Sequence, residues 1–300
     1  MTARPCSGAV TNGGIGSGEE SEGRIVCHCV MRAMRVALLV CLLVTSDLLV
    51  AQVDTTNQST APTLCEDALA ALHDGGRIFT SPLRFSSMDW LLAGGVIGGT
   101  ALLFSVDEFV RDAVRRNSSS TGDWLSSMGR EYGREVNAFL FSGGLYIGGV
   151  LFDKPGVRRT GLQVFEAVAI SGIVTSIIKS LAGRRRPYLN NGPDRFEGFQ
   201  FRHETTSLPS GHSTVAFAMS TVLAKEIDNP YATAGLYSLA TITALSRIYD
   251  DEHWASDTFL GAAIGAAVGF SVVHLHESAG GTSSLHVVPG PGGLNVHMDF

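Results

Sequence analysis

The chain has 300 residues, of which 45% are apolar and only 17% charged, against about a quarter charged in an ordinary soluble domain. The length allows one large domain or two small ones. The net charge of −6 argues against a nucleic-acid partner.

Residues 1–30 are rich in Gly and Ser without periodicity and read as disordered. Arg32 and Arg35 then precede an apolar run from Val36 to Val44, with a small residue at Ala51. That order is a signal peptide cleaved after Ala51, with an uncleaved anchor helix as the alternative. Asp47 interrupts the run, and a start at Met31 or Met34 gives the charged region a normal length. Cys6, Cys27, Cys29 and Cys41 all precede the cut and only Cys65 follows it. The mature chain therefore holds no internal disulfide and no cysteine metal site.

Residues 52–87 are polar and turn-rich, a lead-in to the domain at 88–276. Six apolar segments follow, at about 90–106, 136–152, 162–181, 213–227, 231–247 and 257–275. None alternates as a strand does, so the fold class is all-α. Each is close to the lower length for crossing a bilayer, about 17 residues. The third carries Glu166, a polar residue of the kind that is often functional inside a bundle. The fourth ends in Lys225 and Glu226. Glycines recur at helical spacing: Gly261, Gly265 and Gly269; Gly94 and Gly95 with Gly98 and Gly99; Gly144 with Gly148. Such ridges let helices approach closely in lipid. From about 277 the chain is rich in Gly, Ser and Pro and reads as a disordered tail, with His286 and His297 incidental.

Three islands carry the chemistry. Lys179 and Arg186 flank a Gly-containing turn stopped by Pro187. A lysine supplies a compact charge and an arginine a planar fork that matches phosphate oxygens. Arg184 and Arg185 between them read instead as a basic cluster that orients a membrane helix. Pro209-Ser210-Gly211-His212 opens the fourth segment, where free N–H groups and the helix dipole form an anion site. Ser210 offers a hydroxyl, Gly211 a close backbone approach, and His212 a proton carrier. In the third island Arg247 ends the fifth segment, and His253 and Asp257 stand four apart, on one helical face. Asp257 is placed to accept from one ring nitrogen and leave the other nucleophilic. With consecutive helices antiparallel, all three islands fall on one end of the bundle. The loop Tyr188–Ser207 lies over that end and is expected to line the approach to it.

Lys179 with six residues before Arg186-Pro187, Pro209-Ser-Gly-His212, and Ser246-Arg247 with five residues before His253 and three before Asp257 resemble the motifs of the type-2 phosphatidic acid phosphatase (PAP2)/vanadium haloperoxidase superfamily. The resemblance covers about 88–275 and implies a membrane-embedded six-helix bundle with its active site at one end. It implies a phosphatase acting on phosphomonoesters or pyrophosphates, in particular of lipids, through a phosphohistidine on His253. Asp257 would orient His253, and His212 would act as acid and base. Lys179, Arg186, Ser210, Gly211 and Arg247 would bind the phosphoryl oxygens, with no metal and no cofactor. The implied partners are a phosphorylated lipid or small phosphoester and membrane lipid. Alternatives are a soluble exported acid phosphatase of broad specificity, a vanadium-dependent haloperoxidase and a non-catalytic membrane bundle.

Topology pulls two ways. A cleaved signal followed by six spans puts the motifs on the cytoplasmic face. Arg111, Arg115, Arg116, Arg130 and Arg134 share that face, against Lys154, Arg158 and Arg159 opposite. The resemblance implies a cell-envelope protein of the inner membrane with a periplasmic site, or a soluble periplasmic enzyme.

Overall fold

The computed structural model describes residues 64–199 and 201–278 in full and the backbone of 279–280, 285–290 and 293–298. Nine helices are described: α1 (Leu64–Phe79), α2 (Ser87–Phe104), α3 (Asp107–Arg116), α4 (Ser120–Tyr132), α5 (Glu135–Leu151), α6 (Pro155–Ala182), α7 (Gly211–Ile227), α8 (Pro230–Tyr249) and α9 (Ala255–Gly280). The expected six segments are α2 and α5 to α9. The expected signal segment lies outside the described residues.

Local chemistry sets the boundaries. Ser86 and Asp89 form a reciprocal capping box at the start of α2. Pro155 and Pro230 occupy the first turns of α6 and α8, where the missing N–H costs nothing. Asn229 caps α8 through the N–H groups of Tyr231 and Ala232. α6 ends at Gly183, whose φ of 62° is the left-handed stop that glycine adopts most cheaply.

α7 forms the centre, packed on α9, α8 and α6. Val215, Met219, Val222 and Leu223 from α7 meet Val164, Ala167 and Val168 of α6, Leu236 of α8, and Val268, Val272 and Val273 of α9. The Gly261–Gly265–Gly269 ridge works as expected. A Cβ on Gly265 would fall 2.2 Å from the Thr214 carbonyl oxygen, and one on Gly261 2.4 Å from that of Ser210. The ridge thus presses α9 against the backbone of α7 and seats the second and third motifs together.

The other two ridges differ from expectation. Gly94, Gly95, Gly98, Gly144 and Gly148 face open space, whereas Gly99 meets Phe259 of α9. The close α5–α6 approach is made by Gly149 against Arg158 and Gly161 against Tyr146. Gly265→Ala is therefore expected to cost about 3 kcal/mol, the upper range for overpacking, while Gly94→Ala is neutral or slightly stabilising. Thermal unfolding in detergent distinguishes them, and equal midpoints for the two variants would contradict the packing.

α1, α3 and α4 lie where no helix was expected. α1 occupies part of the polar lead-in; Gly75 and Ile78 are buried on it, while Leu64, Leu69 and Leu72 stay exposed. α3 and α4 are short, polar on one side, and stabilised by tertiary contacts: Gly129 and Gly133 of the α4 region sit against the backbones of Ile242 and His212. The tail, expected to lack order, carries an antiparallel hairpin, β1 (Leu285–Gly290) with β2 (Gly293–Met298), in which Leu285 pairs Met298. Val287, Val288 and Val296 favour strands.

Three helices are long and apolar enough to cross a membrane, α2, α6 and Ala255–Ser278 of α9, and α5 is a shorter apolar helix. Of the six apolar segments, three thus qualify as spans by length and composition. α7 has 17 residues and buries Ser213, Thr214, Ser220 and Thr221, and α8 is diluted by Thr233, Ser238, Thr241 and Thr243. α2 has no buried residue. Its Leu91, Leu92, Ile97 and Leu102, with Leu140, Ile147 and Leu151 of α5 and Ile173 and Ile177 of α6, are exposed apolar side chains, more than a soluble monomer ordinarily leaves uncovered.

Candidate active site

The end of α6, the start of α7 and the α8–α9 junction meet at one end of the bundle around an open cavity of ≈ 230 Å³. Lys179, Arg186, Gly211, His212, Arg247 and His253 line it, together with Glu135, His203, Thr206 and Glu252. Six of the eight site residues expected from the motifs are thus in its wall. Asp257 lies behind His253, and Ser210 is fully buried. The Ser210 hydroxyl accepts from Ser213 at 3.1 Å, and its N–H donates to the Asp257 carbonyl at 2.9 Å. Ser210 therefore ties α7 to α9 rather than presenting its hydroxyl to the cavity.

Each cation is held by its surroundings. Lys179 Nζ donates to the Thr206 carbonyl at 2.6 Å. Arg186 Nε donates to the His203 carbonyl at 2.8 Å, and its guanidinium pairs with Glu252. Arg247 pairs with Asp250 at 2.9 Å; Asp250 is itself gripped by Arg130 at 2.7 Å and the Ser126 hydroxyl at 2.6 Å, both from α4. Arg247 Nε is buried without a partner, a donor free for an oxyanion. Gly183 is also needed here: a Cβ would sit 2.5 Å from the N of Gly198, so the turn between Lys179 and Arg186 can close onto the 196–198 segment.

His253 is buried, at 3% exposure, and its N–H donates to the Arg247 carbonyl at 3.1 Å. Its Nδ1 stands 3.7 Å from Asp257 Oδ2, beyond hydrogen-bond length, and has no other partner. The expected His–Asp hydrogen bond is therefore a close approach. Asp257 spends its oxygens elsewhere: it accepts from Arg184 at 2.5 Å, from the Ser207 hydroxyl at 2.5 Å and from the Trp254 N–H at 3.0 Å.

Arg184 is where the structure corrects the sequence reading. It is not a surface charge: its side chain is 0% exposed. It bridges Asp257 and, at 2.7 Å, Asp107, donates to Ser256 at 2.7 Å, and lies 4.6 Å from the ring of Phe104 and 5.5 Å from Trp254. Burial pushes the Asp107 carboxyl up from its usual range, against the pull of Ser256 and Arg184. Arg185 is partly exposed and pairs with Glu197 at 2.5 Å. His203 and Thr206 belong to the 188–207 loop expected to line the approach, whereas Glu135 and Glu252 went unnoticed in the sequence. Glu135 follows Arg134, which the parity of the helices places on this end, so parity was the signal that could have found it.

The field in the cavity sets the imidazoles. Burial first, then Lys179, Arg186 and Arg247, hold the His253 pKa well below its ordinary value. Burial and Arg247 lower His212 to about 3. Both rings are therefore neutral at pH 7, and a bound dianion raises both values. A histidine whose folded pKa lies below its unfolded 6.5 leaves the unfolded chain holding more protons at lower pH. Stability is then fully present above about pH 6.5 and falls as pH drops towards the folded value. His212→Gln is expected to reduce the acid sensitivity of the unfolding midpoint by about 1 kcal/mol per pH unit between 6.5 and 5. An unchanged slope would mean that His212 is not held neutral.

Together these features define a helical bundle with three candidate membrane spans and a cavity lined by cations and imidazoles at one end. Residues 160–280 match the family model described as PAP2 superfamily. This segment, two fifths of the chain, contains all three motifs and is what the chain shares with that family. A lipid A 1-phosphatase of Porphyromonas gingivalis is 43% identical over 65 residues, covering 21% of this chain and 15% of that protein. A lipid A 1-phosphatase of Rhizobium johnstonii is 30% identical, covering 37% of this chain and 45% of that one. The chain thus spans less than half the length of these curated relatives. A solved phosphatidylglycerolphosphate phosphatase of PAP2 type from Bacillus subtilis superposes with a TM-score of 0.49 at 18% identity, covering 61% of this chain and 95% of that one.

Proposed function

We propose that this protein hydrolyses phosphomonoester or pyrophosphate groups of lipid phosphates without a metal, through a phosphohistidine on His253. The observation that carries the reading is the cavity lined by Lys179, Arg186 and Arg247 and by the imidazoles of His203, His212 and His253. The phosphoryl oxygens meet Lys179, Arg186 and Arg247 and the N–H groups at the start of α7. Fixed charges aimed at an oxyanion are the larger share of most catalytic effects. His253 Nδ1 faces Asp257, so Nε2 attacks phosphorus. The P–N bond forms as the bond to the leaving oxygen breaks, and that oxygen takes a proton from His212, protonated once the dianion is bound. His212, now neutral, takes a proton from water as the water oxygen attacks phosphorus; the P–N bond breaks and phosphate leaves. Asp257 offsets the positive charge that develops on the His253 ring.

The apolar outer surface of α2, α5 and α6 favours a lipid substrate at a membrane over a soluble acid phosphatase. Phe199 and Phe201 in the loop over the site, 77% and 84% exposed, suit acyl chains or the headgroup region. The location is the cell envelope, with the site on the periplasmic face. The relatives' names make lipid A 1-phosphate the first substrate to try, with phosphatidate and undecaprenyl pyrophosphate beside it. Phosphate release by purified protein in EDTA is expected from these lipids at least tenfold faster than from p-nitrophenyl phosphate. A preference for p-nitrophenyl phosphate would support the soluble-type reading. Vanadate-dependent bromide oxidation without phosphate release would replace the phosphatase by a haloperoxidase.

A further inference from the structure

Glu166, singled out in the sequence as a polar residue within an apolar segment, takes no part in the chemistry above. It lies thirteen residues before Lys179 on the same helix, so about 20 Å from the cavity along the α6 axis. Its side chain is 1% exposed. His276 of α9 approaches it, with Nε2 at 2.9 Å from Glu166 Oε2 and 3.7 Å from Asp74 Oδ2 of α1. One potential ligand atom from each of the three residues lies within 4.8 Å of the other two. The second oxygen, Glu166 Oε1, is buried and has no hydrogen-bond partner. A buried carboxylate oxygen left unpaired is costly, and here it belongs to a carboxylate aimed at an imidazole and a second carboxylate.

We propose that Asp74, Glu166 and His276 form a divalent metal site of the zinc type, remote from the active site, that fastens α1 to α6 and α9. An imidazole nitrogen with two carboxylates suits zinc or a similar transition ion, whereas magnesium and calcium favour all-oxygen sets. Three protein ligands leave a fourth position for water in tetrahedral zinc. Asp74 and His276 are each 14% exposed, so an ion reaches the site from solvent. His73, 3.5 Å from Asp74 Oδ1, is exposed and can turn away, and Arg159 is engaged by Glu226 at 3.8 Å. The ligands come from three separate helices, so binding stabilises the fold by linkage to the folded state. The site holds α1, a helix that buries little of its own apolar surface.

The test uses the full chain in detergent, stripped with EDTA and titrated with zinc chloride. The wild type is expected to bind one more equivalent of zinc than Glu166→Gln, measured by elemental analysis after desalting. Zinc is expected to raise its unfolding midpoint, and the variant to lose that rise. Glu166→Gln keeps the size of the side chain and an oxygen for His276, so it retains the packing. Asp74→Asn at the rim is a second variant, expected to weaken zinc binding at least tenfold. Equal zinc stoichiometry and equal stabilisation in wild type and both variants would overturn the site and leave a simple ion-paired cluster. Phosphate release in EDTA is expected to be unaffected in Glu166→Gln, so failure of the metal site is distinguishable from failure of the phosphatase reading.

Discussion

His253→Ala is expected to lower phosphate release by about 10⁴-fold or more, the scale of losing a nucleophile from a catalytic set. The physical reason is that no other group in the cavity wall is placed to do its work. His212 stands at the start of α7 and the remaining imidazole, His203, lies in the loop, where burial lowers its pKa and Arg186 adds to that. The imidazole of His253 is kept neutral by burial and three cations, so its lone pair is available, and its backbone is fixed to the Arg247 carbonyl. The cations that keep it neutral are the same groups that draw the phosphoryl oxygens. Binding and activation therefore share one cause. Acid-stable but base-labile linkages differ from phosphohistidine, which is lost in acid. A labelled phosphate retained on the wild-type chain after alkaline quench, and absent from His253→Ala, is the expected signature. Activity within tenfold of wild type in a folded His253→Ala protein would remove the nucleophile from this residue.

The second large effect is expected at Arg184, acting as a positioning residue. Arg184→Met leaves Asp107 and Asp257 buried at 0% exposure without their cation. Breaking a buried pair by removing one partner costs about 3–5 kcal/mol, and here two carboxylates lose one arginine. The unfolding midpoint in detergent is expected to fall accordingly. Stability alone would not separate this from an ordinary packing defect, so Arg184→Lys is the informative variant. A lysine restores the charge but not the fork that reaches Asp257, Ser256 and Asp107 together. Arg184→Lys is expected to lower kcat by about 10²-fold with KM within threefold of wild type, because the phosphate-binding cations are untouched while Asp257 is no longer aimed at His253. A change in KM with unchanged kcat would sink the positioning role.

Three adjacent arginines show how far sequence reaches. Arg184, Arg185 and Arg186 are identical in sequence, yet one is sealed beneath Asp257, one meets Glu197 near the surface, and one faces the cavity. The spacing from Lys179 to Arg186 selected the last of these. Nothing local separated the first two, because their fates depend on how the chain turns at Gly183 against residues 196–198. Ser210 is similar. Its place before α7 was legible, but the burial of its hydroxyl follows from the approach of α9 at Gly261.

By itself the sequence determined the six main helices, the motif residues and their gathering at one end. Apolar period, prolines and capping side chains act over a few residues, and alternation of helix direction needs only short connections. Tertiary structure alone decided that α3 and α4 are helices, that Arg184 clamps Asp257, and that Glu166 meets His276 across 110 residues of chain. Those outcomes depend on the rotation of each helix about its own axis and on where helix backbones come into direct contact. Close packing settles both only when all the helices are assembled.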